Sequence, residues 1–381
     1  MTVRKNRVTI LDVAAEAGVS KSTAARVLTG SESTSTASSE RVNDAARRLG
    51  YTPNSLARAM VSGETKTLGL IVTDISSSFF ATVVRGFSDV ARAEGFDVFL
   101  ASVDRDSQIE ERMVQAFMQK RVDGVAIAPV VRNMSSALTA LVDQNTPLVL
   151  LDRPHPAATA APVIMLDHEK SARLATERLV ELGHTRIAVV VDAATAGRLG
   201  DILALRHTDG DREFLIPPEL RLLGYLEVLD DHGIAIDPGL IIGTDYSRRS
   251  VRDAVTARLR QSPAPTAVFA TDALMSSGAY SALADLAVTL PDDISFVAFD
   301  DQEWCTMVCP TVSTVTQPQY ELGADAARIL IGEIRGEATE TGRILLPAGF
   351  IQRESSGPPP TGHRVHGRRT RITRAMPPGP H

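Results

Sequence analysis

From residue 65 onward the chain alternates short, nearly unbroken apolar runs with longer stretches whose apolar positions recur every three or four residues. The runs are Leu68–Val72, Asp97–Ala101, Gly124–Ala128, Leu148–Leu151, Val163–Met165, Arg186–Val191, Ala267–Ala270 and Ser295–Phe299. Continuous Val, Ile, Leu and Ala, rather than strict alternation, predict strands covered on both faces, as in a parallel sheet. Helical spacing marks Phe80–Glu94, Ser107–Lys120 and Lys170–Leu182, and Gly95 and Gly183 follow two of these as C-terminal stops. Strand and helix in alternation predict a doubly wound α/β body. Two successive series of such units predict two subdomains with a cleft between them.

The first sixty residues are patterned differently and contain no strand signal. Thr9 to Leu28 reads as helix, three-residue turn, helix. Thr9 and Asp12 make a capping-box pattern that also puts negative charge at a helix N-terminus. Gly18 supplies the tight turn and Ser20 caps the second helix. Ala14, Ala17, Val19, Ala24 and Val27 are small enough to let the two helices cross closely. A short helix-prone linker, Tyr51 to Gly63, follows after a further polar stretch.

These motifs resemble those of the LacI/GalR family of bacterial repressors. The family's opening T-[IL]-x-D-V-A-x-x-A-G-V-S stands here as Thr9 to Ser20, and its Y-x-P-N hinge signature as Tyr51, Thr52, Pro53, Asn54. The resemblance continues to about residue 355 through Asp123-Gly124-Val125, Leu182 to Ala188, Pro265 to Ala270 and Phe299-Asp300-Asp301. It implies an all-α helix-turn-helix headpiece over 1–52 and a hinge over 53–64. A periplasmic-binding-protein-like (type I) effector and dimerisation domain of two parallel-sheet subdomains, crossed three times by the chain, would span 65–354. Two stretches depart from the family. Residues 193–219 are about fifteen residues longer than usual there. Ser355 to His381, rich in Pro, Gly and Arg, is expected to be a disordered basic tail.

In the family the second helix of the headpiece enters the major groove. The resemblance assigns base reading to Lys21, Ser22 and Arg26, and backbone contacts to Thr23, Ser35 and Ser38. A bidentate Arg–guanine contact carries ~1–3 kcal/mol of discrimination. Ala24-Ala25 replaces the family's β-branched residue and Ser, which should remove one phosphate contact. Asn54, Ala57 and Met60 fall on the hinge, where two copies pack in the minor groove. Met60 stands at the position of the wedging Leu and is an acceptable wedge. Paired hinges imply a homodimer on a pseudopalindromic operator. The leucine heptads that tetramerise the lactose repressor are absent.

For the effector cleft the resemblance points to Thr73, Asp74, Phe79, Asp152, Arg153, Arg221, Asp272 and Asp300. Asp272 replaces a usual Asn, and Arg221 follows directly on the unusual segment. Carboxylates accept from vicinal hydroxyls, Arg donates a fork and Phe covers an apolar face, which suits a sugar, polyol or nucleoside-like ligand. Three carboxylates in a closed cleft require Arg153, Arg221 or ligand hydroxyls as partners. The alternative is a DNA-binding regulator of the same family that has lost effector response.

Charge sharpens this picture. The net −6 is unevenly spread: residues 1–63 hold nine Lys and Arg against five acids, and the last 27 hold five Arg and no acid. The remaining body therefore carries about −15. A basic head on an acidic body favours phosphate contacts at one end only. No run approaches the ~18 apolar residues of a membrane span, and no apolar stretch follows the N-terminal Arg4, Lys5 and Arg7. A cytoplasmic, nucleoid-associated protein is expected. Cys305 and Cys309 lack zinc or redox spacing, so no metal or cofactor is expected. The nucleotide-binding, metalloprotease and nucleophile-elbow motifs are all missing. The adjacent Asp300-Asp301 is a poor glycosidase pair, so an enzyme is not expected. His184, at a helix-to-strand junction, reads as a structural turn residue.

Overall fold

The computed structural model describes residues 8–28, 35–51, 64–130, 135–206, 212, 215–338 and 340–360. The hinge positions Asn54, Ala57 and Met60 lie outside the described residues, as does the tail from residue 361. The chain divides into two compact units, residues 1–67 with 121–123, and the remainder.

The first unit contains α1 (Ile10–Ala17), α2 (Lys21–Leu28) and α3 (Thr36–Leu49). The Asp12 carboxylate accepts from the Thr9 N–H and Oγ1, each at 2.8 Å. Those two bonds hold its pKa below the usual carboxylate value. Gly18 turns the chain at φ 64°, and Ser20 Oγ accepts from the Thr23 N–H at 3.1 Å. The core is built of small residues: Val13, Ala14, Ala17, Ala24, Val42, Ala45 and Ala46. Short side chains bring three helices of 8, 8 and 14 residues close enough to exclude water.

The second unit opens with β1 (Thr67–Val72), α4 (Ser78–Ala93), β2 (Asp97–Ser102), α5 (Ser107–Lys120), β3 (Gly124–Ile127), α6 (Ser136–Asp143), β4 (Leu148–Leu151) and β5 (Val163–Leu166). Then come α7 (His168–Glu181), β6 (Ile187–Asp192), α8 (Ala193–Gly197), α9 (Leu199–Ala204), α10 (Pro217–Asp231), β7 (Ile241–Thr244), α11 (Arg248–Leu259) and β8 (Ala267–Ala270). The chain continues through α12 (Ala273–Asp285), β9 (Ser295–Phe299), α13 (Trp304–Met307), β10 (Ser313–Thr316), α14 (Gln319–Arg335), β11 (Arg343–Leu346) and β12 (Gly349–Ile351).

Two six-stranded sheets result, in orders β11-β5-β4-β3-β1-β2 and β12-β10-β9-β8-β6-β7. The pairs β1–β3, β3–β4, β4–β5 and β5–β11 are parallel in the first sheet. So are β6–β7, β6–β8, β8–β9 and β9–β10 in the second, where β12 alone runs antiparallel to its partner β10. The chain passes from the first sheet to the second between β5 and α7. It returns between β10 and α14, which packs on the first sheet, and leaves again between β11 and β12. The chain thus crosses between the sheets three times, as expected.

The eight predicted strands are all present, with ends moved by a residue or so. Four more were not foreseen: β7, β10, β11 and β12. β10 reads Ser-Thr-Val-Thr, yet Ser313 and Thr314 are fully buried, because hydroxyl partners replace water. β11 and β12 are edge strands of four and three residues with half-exposed faces, too short for periodicity to register.

The C-terminal boundary is a correction. Disorder was expected from Ser355, but the chain is placed through Pro360, and Ser355 and Ser356 are buried. Ser355 Oγ donates to the Phe296 carbonyl at 2.6 Å, and the Ser313 and Ser356 hydroxyls meet at 2.8 Å. His184 reaches the same place. Its Nε2 lies 2.9 Å from the Gly357 carbonyl and 3.0 Å from Ser295 Oγ, while Nδ1 lies 2.9 Å from Thr266 Oγ1. Buried and fully partnered, it is a structural pin, and burial lowers its pKa. Polar composition concealed a segment whose polar groups are satisfied internally.

Candidate functional site

On the headpiece, Lys21, Ser22 and Arg26 are exposed along α2, while Ala24 on the opposite face is completely buried. The alanine that departs from the family pattern is thus a core residue here. Thr23 Oγ1 lies 2.8 Å from Ser20 Oγ, and Arg26 Nε donates to the Ser22 carbonyl at 3.4 Å. Ser35 precedes α3 and donates through Oγ to Ser38 Oγ at 3.0 Å. α2 carries two cations and two hydroxyls without a carboxylate among them. A helix of this kind meets a polyanion without electrostatic penalty.

In the second unit a cavity of about 660 Å³ opens between the two sheets' C-terminal strand ends. Thr73, Asp74, Phe79, Asp152, Arg153, Arg221, Asp272 and Asp300 all line it. Arg105, Asp192, Tyr246, Arg248, Gln302 and Gln317 line it too and were not foreseen. Strand-end position was the available signal for Asp192, the last residue of β6, much as for Asp152 after β4, whereas Tyr246 follows β7, a strand the sequence did not declare. Arg105 and Gln317 sit on loops with no pattern of their own.

Beside the attraction of Arg153 and Arg221, the carboxylates have hydrogen-bond partners that the sequence did not indicate. Asp152 Oδ1 lies 2.8 Å from Nε2 of His168, a fully buried residue at the first inter-sheet crossing. Asp300 Oδ1 accepts from the side-chain amides of Gln317 and Gln319, the latter at 2.9 Å, and both belong to the second crossing. Asp272 caps α12 by accepting from the Met275 N–H at 2.8 Å. Asp74 accepts from the N–H and hydroxyl of Ser76, at 2.8 and 2.6 Å, in a local turn. Asp152 and Asp300 both stand in left-handed backbone, at φ 64° and 68°, a conformation that L-residues hold only under constraint.

Arg221 lies one turn into α10 and reaches the cavity despite the long segment before it. Its Nη1 donates to the Thr271 carbonyl at 2.7 Å, and its Nη2 lies 3.1 Å from His168 Nδ1. The guanidinium stacks on Phe299, 4.1 Å from the ring centroid. Because Arg221 can only donate, Nδ1 of His168 is the acceptor and Nε2 carries the proton towards Asp152. Burial lowers the His168 pKa, in keeping with a neutral ring. Burial works to raise Asp152, but His168, Arg153 and Arg221 outweigh it and hold the carboxyl below its usual value. Asp152, His168 and Arg221 therefore form one buried chain from one sheet to the other.

Asp300 differs. Burial pushes its carboxyl up to about 6, against the attraction of Arg221 and with a contribution from the neighbouring Asp272. Asp272 is raised as well, by burial above all. At the mouth, the Arg105 guanidinium stacks 3.5 Å from the centroid of the Tyr246 ring, and burial pushes the Tyr246 phenol well up. Phe79 and Phe80, an edge-to-face pair 4.9 Å apart, line the cavity as well. Among the described residues no cluster of metal-ligating side chains occurs, and no helix is long and apolar enough to cross a membrane.

Known proteins converge on the same two parts. Residues 9–54 match the profile of bacterial regulatory proteins of the lacI family, and residues 176–356 match a periplasmic-binding-protein-like domain. The ribose operon repressor of Halalkalibacterium halodurans is 31% identical over 91% of this chain and 97% of its own length. Catabolite control protein A of Priestia megaterium is 29% identical over 92% and 99%. Among solved structures, the lac repressor dimer bound to operator and an anti-inducer covers 92% of this chain and 100% of its own. It superimposes with a TM-score of 0.78 at 25% identity. The transcriptional regulator CelR in complex with cellobiose gives 0.65 at 29% identity, over 92% and 100%. The chain belongs to the LacI family of bacterial DNA-binding transcriptional regulators.

Proposed function

We propose that this regulator is a repressor that binds a pseudopalindromic operator as a homodimer and takes a sugar or related polyol into the cavity between its two sheets. One observation carries the ligand class. Arg221 Nε and Gln317 Oε1 are buried polar atoms with no hydrogen-bond partner among the described residues, and both side chains line the cavity. One is a donor and the other an acceptor. A hydroxyl-rich ligand serves both, and each buried group left unsatisfied costs about 1–3 kcal/mol. Cellobiose in CelR, and ribose in an Enterococcus faecium family member, are ligands of this class.

The mechanism follows from where the carboxylates are tied. Hydroxyls that bond Asp152 or Asp300 compete with His168, Gln317 and Gln319, which stand on the two crossings. Ligand binding thus acts on the hinge directly, and a difference in affinity of ~1–3 kcal/mol between two hinge states is enough for a useful switch. Asp152, Arg153, Arg221 and Asp300 grip the ligand, Thr73, Asp74 and Asp272 complete the polar lining, and Phe79 covers an apolar face. Residues 53–64, with Asn54, Ala57 and Met60, would transmit the change to the DNA. Lys21, Ser22 and Arg26 read bases, and Thr23, Ser35 and Ser38 hold the phosphates. The site serves binding rather than catalysis, in a cytoplasmic protein.

A thermal-shift screen of pentoses, hexoses, disaccharides and sugar alcohols tests the ligand class. At about 100 times its Kd a ligand adds ~2.7 kcal/mol of stability, a shift of several degrees. Silence across the panel would favour the reading in which effector response has been lost. For the headpiece, Arg26→Ala is expected to abolish preference for the operator over random DNA while leaving weak, salt-sensitive binding. Unchanged preference in a competition assay would remove Arg26 from base reading.

A further inference from the structure

The segment between β6 and α10, read from the sequence as longer than the family's, has two anchors in the structure. Arg198, between α8 and α9, pairs through Nη1 with Glu219, a completely buried carboxylate in the first turn of α10. The other oxygen of Glu219 accepts from the Ile216 N–H at 3.0 Å, so this one carboxylate both ends the segment and caps α10. Arg221 stands two residues further on. The second anchor is Arg212. Its Nη1 donates to Glu169 at 3.0 Å, and its Nη2 donates to Glu227 at 2.8 Å and to the Leu205 and Arg206 carbonyls at 3.0 and 3.1 Å. Glu169 is the residue after His168. The anchors therefore fall beside the two members of the buried chain that face each other across 3.1 Å.

The surroundings make both anchors matter. Glu169 and Glu227 are close enough to repel, and burial and that repulsion raise the Glu169 pKa. Arg212 is the cation placed between them, while Arg173 holds the outer side of Glu227 and Asp231. Removing Arg212 would leave two like charges pressing on the start of α7, where His168 takes its orientation. Removing Arg198 would leave a buried carboxylate without its cation at the start of α10, a loss the fold relieves by moving that turn. At the far end, α8 and α10 enclose the cavity through Asp192, Ile216, Pro217 and Pro218.

We propose that Arg198 and Arg212 are positioning residues: the extra segment is a brace that sets His168 against Arg221, and through them the geometry of the effector cavity. Its two arginines act through Glu219, two residues before Arg221, and through Glu169, the residue after His168. Its functional meaning rests on the cavity being the effector site, but its test needs no ligand.

The imidazole nitrogens of His168 report directly on the chain, and those of His184, buried at the base of the second sheet, serve as an internal control. In long-range ¹H–¹⁵N spectra of the full-length protein at pH 7.5, assigned with His168→Gln and His184→Gln, His168 should show a neutral ring protonated on Nε2. In Arg212→Ala and in Arg198→Ala the His168 resonances are expected to move towards a mixture of tautomers, with His184 unchanged. Arg212→Lys, which keeps a cation between the two acids, should restore most of the wild-type pattern. A His168 signature unaffected in both alanine variants would overturn the proposal. So would equal disturbance of His168 and His184, in those variants and in the milder Arg212→Gln and Arg198→Gln, because the segment would then support the lobe in general rather than this contact. A silent sugar screen alongside a displaced His168 signal would leave the brace standing and reject only the ligand class.

Discussion

Asp300→Asn is expected to stabilise the ligand-free protein at pH 7.5 and to leave its stability at pH 4 nearly unchanged. The carboxyl is pushed from 3.8 to about 6 by burial, with Asp272 adding to it and Arg221 opposing. A carboxyl raised on folding favours the native state only while protonated. That support is complete below the unfolded value near 3.8 and is lost as pH rises through about 6. At about 1.4 kcal/mol per pH unit, keeping this group ionised costs the native state roughly 3 kcal/mol at pH 7.5, an upper limit for the gain. Asn removes the charge but keeps the oxygen that accepts from Gln317 and Gln319. It also tolerates the left-handed backbone at φ 68° better than most residues. Urea unfolding at the two pH values measures the effect. Equal stability at pH 7.5, or a gain of the same size at pH 4, would show that Asp300 is not a strained charge. The same variant should bind sugar about 10- to 100-fold more weakly, since it replaces a charged hydrogen bond worth ~1.5–3 kcal/mol. Stability spent at a binding site is recovered when ligand hydroxyls arrive.

Much of this was legible beforehand, for reasons that differ by residue. The headpiece and the parallel strands declare themselves because unbroken apolar runs, a capping box and a glycine turn are local events. The eight cavity residues were legible only through resemblance, since nothing local separates Asp152 from the many other acids. What joins them could not be read. His168 is linked to Arg221 over 53 residues, and Asp300 to Gln317 over 17, by side-chain orientation that no periodicity encodes. The segment 193–219 looked like a threat to Arg221. Its arginines, unremarkable in sequence, turn out to face acids on α7 and α10. Ser355 and Ser356 were misjudged, and Ser313 and Thr314 of β10 passed over, for the converse reason. Hydroxyls that bond one another behave as core, though by composition they read as surface.

The largest loss of stability is expected from Gly323→Ala. α4 and α14 cross with their backbones in contact, and each contributes a glycine to the crossing. A Cβ on Gly323 would stand 1.9 Å from the Val83 carbonyl oxygen, and one on Gly86 would stand 2.0 Å from that of Tyr320. These are main-chain atoms of buried helices, so no side chain can swing away, and the helices must separate instead. Overpacking of this kind costs about 3 kcal/mol or more when backbone has to move. The consequence is not confined to packing. α14 starts at Gln319, which with Gln317 holds Asp300, so a shift of the helix pulls on the second crossing and on the cavity together. Gly200→Ala is the natural control: it lies in α9, nothing stands within 4 Å of its Cβ position, and its φ is not in the left-handed region. There the loss of glycine's backbone freedom in the unfolded chain should stabilise by roughly 0.5–1 kcal/mol. Urea midpoints for the two variants should move in opposite directions. A Gly323→Ala variant within 1 kcal/mol of wild type would mean that the two helices slide past each other freely, and the route from α14 to Asp300 would lose its physical basis.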